Sequence, residues 1–322
     1  MLVPWQIKVA GFNLLSILPA GESLYAAVQR RLTRSIVPTP STVEQKLEVG
    51  RNYFQLLAAL HAQQLLGHAT HLDVGCGWMP TIPLLFYALG CERQVLCDVR
   101  RNFTSASVSG TVEIVRRLLA ESPPYAALPL RRLPPPFPAG ARAEEYLGRL
   151  GMTYIAPYRL ADLAQPGPLL VSCTQVLMYL SPAEVRRLLR VLEENLGPED
   201  LMILGVKCYD LYSDCDRRIS PFNKWTFSPF LWERVINCRL MSFNRLTAAG
   251  YRRLLLECGF ELRRFQQTEA TGRELEALAS LPIHSSFRHI PLAELASKEF
   301  LAVAASRRRG AAQASSAPAA CC

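Results

Sequence analysis

Up to about residue 67 apolar positions recur at helical spacing; beyond it they gather into short runs that alternate with amphipathic stretches. The runs 71–74, 94–98, 152–156, 169–173 and 201–206 have the length and apolar density of strands covered on both faces. Helical patterns lie between most of them, and parallel neighbours need such crossovers, so the alternation predicts an α/β fold with a parallel, doubly wound sheet. Residues 247–257 form a further helical pattern closed by Gly259, after which 260–266 and 300–304 read as a closing pair of strands.

Local signals refine these boundaries. Ser181-Pro-Ala-Glu184 opens one connecting helix with an N-cap serine, a first-turn proline and a reciprocal glutamate, and Gly197 marks where it should stop. Residues 4–34 read as two short helices broken by Pro19-Ala-Gly21. The first carries Trp5, Ile7, Val9, Phe12, Leu14, Leu15 and Ile17 around Lys8, which suits a helix covering the core or the mouth of a site. Peripheral membrane contact through residues 4–18 is the second reading of the same pattern. Pro38-Thr-Pro-Ser-Thr42 predicts a turn, and Ser41 with Glu44 a capping box for a helix running to about Gly67. Seven prolines between Pro123 and Pro138 exclude regular helix or central strand there and predict an extended insertion, 122–141, between the second and third strands. From 306 to 322 the chain is rich in Ala, Ser and Arg and is expected to be disordered.

At 322 residues, half of them hydrophobic, the chain can bury a full core. The net charge of +9 is spread over helix faces (Arg186, Arg187, Arg190, Arg252, Arg253) and the run Arg307-Arg308-Arg309, a pattern of solvated faces that gives a nucleic-acid or anionic-lipid partner little support. Ten cysteines include no C-x-x-C spacing, so no disulfide or metal framework is expected. No apolar stretch reaches the roughly 20 residues that span a bilayer, and the start lacks a cleavable leader. We therefore expect a cytoplasmic protein, with the periphery of the inner membrane face as its second location. Cys321-Cys322 is a poor lipidation signal outside a polybasic setting.

Chemistry concentrates first at His71-Leu-Asp-Val-Gly-Cys-Gly-Trp-Met-Pro80, where a strand ends in Asp73 and turns through Gly-x-Gly into a helix near Thr81. Glycines suit a bend over which a ligand approaches the backbone closely. The spacing is not a dinucleotide fingerprint, since Pro80 stands where a third glycine would be. The next strand ends at Asp98, 21 residues beyond Gly77, where a carboxylate can accept hydrogen bonds from two ribose hydroxyls. A bend and a carboxylate in register with a β/α pattern point to a nucleoside ligand.

At these residues the chain resembles the class I S-adenosylmethionine-dependent methyltransferases. The resemblance implies a Rossmann-like, seven-stranded sheet, mostly parallel with the last strand antiparallel, with helices on both faces. It implies S-adenosylmethionine as cofactor, with Asp73, Gly75 and Gly77 lining its methionine and ribose and Asp98 holding the ribose; Cys76, Val99, Cys173 and Thr174 complete the expected set. The run 170–180 looks like the fourth strand and following loop of that fold, but Met178 and Tyr179 stand where many members carry Glu-His. A narrower similarity, to an uncharacterised bacterial methyltransferase-domain group, covers most of the chain through Tyr154-Ile-Ala-Pro157, the block 210–223, Trp232 and Asn244-Arg245-Leu246. Histidines usual in that group are replaced by Leu211, Ser213 and Cys215. The implied organisation is an N-terminal helical extension (1–67), a methyltransferase domain (68–305) with a substrate-side block (207–246), and the tail.

Methyl transfer asks an enzyme mainly to align donor and acceptor and to remove a proton. Asp210, Asp214 and Asp216, after the fifth strand, are candidate bases or sugar-hydroxyl acceptors, and Arg217 with Arg218 could hold an anionic group; the alternative is a loop whose carboxylates simply pair with those arginines. His284, like His289, lies in the connection before the last strand and is a further candidate catalytic group, whereas His61, His68 and His71 are assigned to helix and strand surfaces. The expected acceptor is an oxygen or nitrogen of a small molecule or glycan precursor. A nucleic-acid methyltransferase is disfavoured because Ser172-Cys-Thr-Gln175 lacks the Asn/Asp-Pro-Pro-Tyr pattern; a non-catalytic binding protein of the same fold is the remaining alternative.

Overall fold

The computed structural model describes residues 4–31 and 36–308, so the expected tail beyond Arg308 and Cys321-Cys322 lie outside the described residues. Helices α1 (Trp5–Ile17), α2 (Gly21–Arg31), α3 (Pro40–Ala59) and the single turn α4 (Leu65–His68) precede the sheet. Then follow β1 (Thr70–Val74), α5 (Thr81–Ala88), β2 (Arg93–Cys97), α6 (Ser105–Glu121), α7 (Pro123–Ala126), α8 (Ala143–Arg149), β3 (Met152–Ile155), β4 (Leu169–Thr174), α9 (Pro182–Asn195) and β5 (Leu201–Lys207). The chain closes with α10 (Pro229–Leu231), α11 (Ala248–Glu257), β6 (Phe260–Thr268), α12 (Gly272–Ala279), α13 (Leu292–Leu295) and β7 (Glu299–Ser306).

All seven expected strands form one sheet in the order β3-β2-β1-β4-β5-β7-β6. β1 to β5 run parallel, and β7 is antiparallel to both β5 and β6. Five consecutive residues of β1 are buried, as a central parallel strand covered on both faces requires. One face is covered by α3, α5, α6 and α8 through Leu47, Leu57, Phe86, Val112 and Leu147; the other by α9 and α11 through Leu188, Leu192, Tyr251 and Leu255. A smaller cluster of Val9, Tyr212, Trp232, Ile236 and Phe243 fastens α1 to the segment after β5.

The Ser181 box is present as expected, with Glu184 N–H and Ser181 Oγ at 3.3 Å and Ser181 N–H and Glu184 Oε2 at 2.8 Å. The start of α3 is a correction. Thr39, not Ser41, is the N-cap, reciprocated by Thr42 rather than Glu44, because Pro40 fills the first helical position and leaves Thr39 extended. The helix also stops at Ala59 instead of running to Gly67: Leu60 leaves helical geometry and His61 takes a left-handed φ of 54°. In the proline-rich insertion Pro123 and Pro124 head the one-turn α7, since the first turn of a helix needs no N–H from them. Past that turn the insertion is extended, as expected.

Candidate functional site

Strand order reverses between β1 and β4, so their carboxyl ends and that of β2 border a crevice, the usual ligand position in an open α/β sheet. The bend after β1 is built from two left-handed glycines, Gly75 (φ 77°) and Gly77 (φ 70°). A Cβ on Gly75 would stand 2.2 Å from Val176 Cγ2, a clash; one on Gly77 would meet only Lys46 Nζ, at 3.8 Å, and would project into the crevice. Gly77 N–H donates to Asp98 Oδ2 (2.9 Å) and Arg100 N–H to Asp98 Oδ1 (3.0 Å), so the two loops flanking the crevice are tied through one carboxylate. The Asn102 side chain is a third donor to the same carboxylate. Burial pushes the Asp98 carboxyl upward, opposed by those N–H donors.

Asp73, at the tip of β1, is nearly sealed, and Ser172 Oγ donates to its Oδ1 at 2.6 Å. Burial raises its pKa, opposed by His71, Ser172 and Lys46. His71 is a correction: far from a strand surface, it is fully buried, with Nε2 at 2.8 Å from Ser172 Oγ and Nδ1 at 2.8 Å from Gln94 Oε1. Cys76 is buried beside Asp73 and Asp98, and burial pushes its thiol well up. Thr174 Oγ1 shares a hydrogen bond with Tyr53 Oη (2.8 Å). The Cys173 thiol is sealed in the core, and the Val99 side chain stands out in solvent.

Three residues at the crevice escaped the sequence reading. Lys46 and Tyr53 come from α3, at positions three and ten beyond buried Val43, and so on its inward stripe. Lys46 lies within electrostatic reach of Asp73, Cys76 and Asp98, and burial lowers its pKa. A lysine on an apolar stripe was the available signal. Gln175 is left-handed (φ 58°), its N–H donating to Gly205 O (2.7 Å) and its Oε1 accepting from Lys207 N–H (3.0 Å). Strained non-glycine backbone of this kind collects at functional sites, and no sequence pattern announces it.

The segment after β5 divides the expected acidic residues. Asp216 accepts both Arg218 Nε and Nη2 at 2.8 Å and the Trp5 N–H at 3.1 Å, holding its carboxyl well below the usual range; it fastens α1. Asp214 is exposed and accepts from Tyr209 Oη (3.0 Å), with Lys207 Nζ 3.8 Å away. Asp210 is buried, accepts Tyr212 N–H (3.0 Å), and is raised by burial to about 6, with Lys224 opposing the rise. Lys224 is buried too and is lowered to about 8; its Nζ lies 4.4 Å from the Trp225 ring. Tyr212 Oη beside them is buried with no hydrogen-bond partner among the described residues, and the Asn223 side chain lies against the Asp210 carboxyl and helps to hold its charge. Asn244 stitches this block to the loop after β4, donating to Leu177 O (2.7 Å) and Leu180 O (2.8 Å).

His284 is placed with Trp225 and not at the glycine bend. Its N–H donates to Trp225 O (3.0 Å), and its Nδ1 accepts Ser286 N–H (3.2 Å) as the cap of a short turn. No cluster of His, Cys, Asp and Glu among the described residues has the arrangement of a metal site.

Neither a family model nor a curated protein matches the chain. Solved structures resemble it: an S-adenosylmethionine-dependent methyltransferase from Clostridium acetobutylicum ATCC 824 (9% identity, TM-score 0.42, 88% of this chain and 98% of that one) and another from Mesorhizobium loti (15%, 0.39, 77% and 95%). A third is the magnesium protoporphyrin IX methyltransferase of Synechocystis PCC 6803 with bound S-adenosylmethionine (14%, 0.39, 88% and 97%). Superpositions this loose leave the fold assignment to the chain's own sheet, whose strand order and single antiparallel strand are those of the Rossmann-like class I methyltransferase fold.

Proposed function

We propose that the chain is an S-adenosylmethionine-dependent methyltransferase acting on an oxygen or nitrogen of a small molecule or glycan precursor. The observation that carries this reading is the pairing of Gly77 with Asp98: a bend without side chains, tied by 2.9 Å to a carboxylate at the end of the neighbouring strand. Asp98 is suited to the ribose hydroxyls, Lys46 to the donor's carboxylate, and Asp73 to its positive charge. When bound, the donor supplies an electrophilic methyl on sulfur. The protein's share is to align the acceptor and take its proton. Asp210 is the base this reading favours, since its carboxyl at about 6 is mostly ionised at neutral pH yet basic enough to accept a proton. The unpartnered Tyr212 Oη is suited to a polar group of the acceptor. Titration calorimetry with S-adenosylhomocysteine tests the donor site; transfer from labelled donor into fractionated small-molecule extract tests the acceptor class. Donor binding without transfer into any fraction favours a non-catalytic protein.

A second surface supports the peripheral membrane reading for residues 4–18. No helix among the described residues is long and apolar enough to cross a bilayer. Yet α1 turns Ile7, Leu14 and Ile17 (81% exposed) outward, and Phe230 (72%), Leu231 and Val235 continue the patch, joined to α1 where Asn13 Nδ2 donates to Val235 O (2.8 Å). Lys8, Arg217, Arg218, Arg234 and Arg239 border it against Glu22, Asp216 and Glu233, a cationic surplus that suits an anionic lipid surface. Ile17→Asp with Phe230→Asp is expected to abolish co-sedimentation with phosphatidylglycerol vesicles; wild-type protein that stays in the supernatant, or pairs into dimers instead, counts against the reading.

A further inference from the structure

Three adjacent strands bring four buried polar side chains onto one face of the sheet: Ser172 on β4, His71 and Asp73 on β1, and Gln94 on β2. Register explains the meeting, since Asp73 pairs with Ser172 and His71 with Gln94, and residues two apart on β1 share a face. His71 and Ser172 are 0% exposed, Gln94 1% and Asp73 4%, so each polar atom has to be satisfied within the group.

The proton count can be worked from one end. Gln94 Nε2 donates to Pro83 O (2.9 Å), which turns Oε1 toward His71 Nδ1 (2.8 Å). That oxygen only accepts, so Nδ1 carries a hydrogen. Ser172 Oγ then lies 2.8 Å from His71 Nε2 and 2.6 Å from Asp73 Oδ1 with one hydroxyl proton for two contacts. With a neutral imidazole and an ionised carboxylate, both neighbours are acceptors. One contact would set lone pair against lone pair. A single added proton removes the conflict in either of two ways. On Nε2 it makes an imidazolium that donates to Oγ, which donates to Asp73. On Oδ1 it makes a carboxylic acid that donates to Oγ, which donates to Nε2. Two proton shifts through the hydroxyl interconvert these states with no heavy atom moving and nothing gained or lost, and both leave the trio with zero net charge.

We propose that Asp73, Ser172 and His71 hold one shared proton that moves to His71 when a cation sits beside Asp73 and returns to Asp73 when that charge is gone. This rests on the donor reading above: transfer converts a sulfonium into a neutral thioether, so an ionised Asp73 would grip the donor and a protonated one would release the spent nucleoside. His71 is thus a positioning residue, acting through Ser172. Burial favours the uncharged arrangement in the free protein, raising the Asp73 carboxyl and lowering His71. The other groups facing Asp73 are Lys46 from α3, which favours its ionised form, the Asp98 carboxylate, which disfavours it, and Cys76, Cys97, Cys173 and Tyr53, whose own ionisation Asp73 opposes and which stay neutral. Phe86 packs on the imidazole at 4.7 Å and excludes other partners.

The test is NMR of the full chain labelled with ¹⁵N-histidine and ¹³C-aspartate, alone, with S-adenosylmethionine and with S-adenosylhomocysteine. We expect a protonated Asp73 carboxyl and an Nδ1–H neutral His71 in the free and homocysteine-bound protein, and a doubly protonated His71 with the methionine form. An ionised Asp73 beside a neutral His71 in the free protein overturns the proton count, and a proton that stays on one residue in all three states overturns the switch. Because the count is read without ligand, failure of both nucleosides to bind refutes the donor reading and the switch that rests on it while leaving the count measured. Ser172→Ala should lower the preference for S-adenosylmethionine over S-adenosylhomocysteine by roughly tenfold, the equivalent of one pKa unit. Ser172→Thr, which keeps a hydroxyl, should restore it; a preference unmoved in a folded Ser172→Ala protein counts against the switch.

Discussion

Asp98 is organised before any ligand arrives, because two backbone N–H groups from different loops already fix both its oxygens. Replacing it by alanine removes a charged acceptor and frees the Gly77 loop together, so Asp98→Ala is expected to weaken S-adenosylhomocysteine binding by more than about 1 kcal/mol in calorimetry. Unchanged affinity would remove the residue from the site. Asp210 and Lys224 set a different kind of expectation, in pH. The Asp210 carboxyl is raised to about 6, so the ionised base accumulates as pH climbs through that value. Lys224 is lowered to about 8, so its charge is lost above that value; the loss makes Asp210 somewhat more basic but leaves it ionised at that pH. The Asp210 sign gives kcat/KM a rise through about pH 6. Asp210→Asn should cost roughly 10²–10⁴ in kcat, the usual contribution of a placed base, and erase the acid limb; a variant with an unaltered profile would shift the role elsewhere.

Elements meet at the crevice through a few side chains, and Asn244 is the clearest. It joins the segment before α11 to the loop after β4 by two donated bonds, while its Oδ1 accepts from Leu246 N–H (3.0 Å) and Tyr251 Oη (2.9 Å). Asn244→Ala leaves carbonyls and a hydroxyl short of partners and should cost about 1–3 kcal/mol in urea denaturation, with acceptor KM rising more than donor Kd. Equal changes in the two would mean that the loop serves both ligands alike. The sequence carries such elements unevenly. Strands and the Ser181 helix were legible because apolar period and capping chemistry are local. The start of α3 was not, since Thr39-Pro-Ser-Thr-Val-Glu44 offers two overlapping caps and the prolines decide between them. Within the site, the bend and Asp98 could be read from glycine spacing and strand ends. His71 was misplaced because its partners, Gln94 and Ser172, lie 23 and 101 residues away and become neighbours only through the register of three strands. Gln175 owes its left-handed backbone to a tertiary bond with Gly205 O, which no local pattern encodes.

Across the whole molecule the proposed acceptor side is built against stability. Asp210 and Lys224 are both buried, and each is shifted toward its neutral form, which means that their desolvation exceeds what their mutual attraction returns. Removing one charge and leaving the other should therefore destabilise the protein, because the remaining ion is buried without its opposite charge. Removing both should not. We expect Asp210→Asn and Lys224→Met to lower the melting temperature singly and to raise stability together by about 1–4 kcal/mol, as when other buried charges are replaced by neutral groups of similar size. The asparagine keeps an oxygen for the Tyr212 N–H, so the block after β5 can stay folded. Turnover should be lost in the Asp210→Asn and double variants, and donor affinity, set at Gly77 and Asp98, should be kept. A double variant less stable than either single one would make the pair a structural staple. A stable double variant without turnover would assign its charges to the acceptor's chemistry, held in place by a sheet that folds without them.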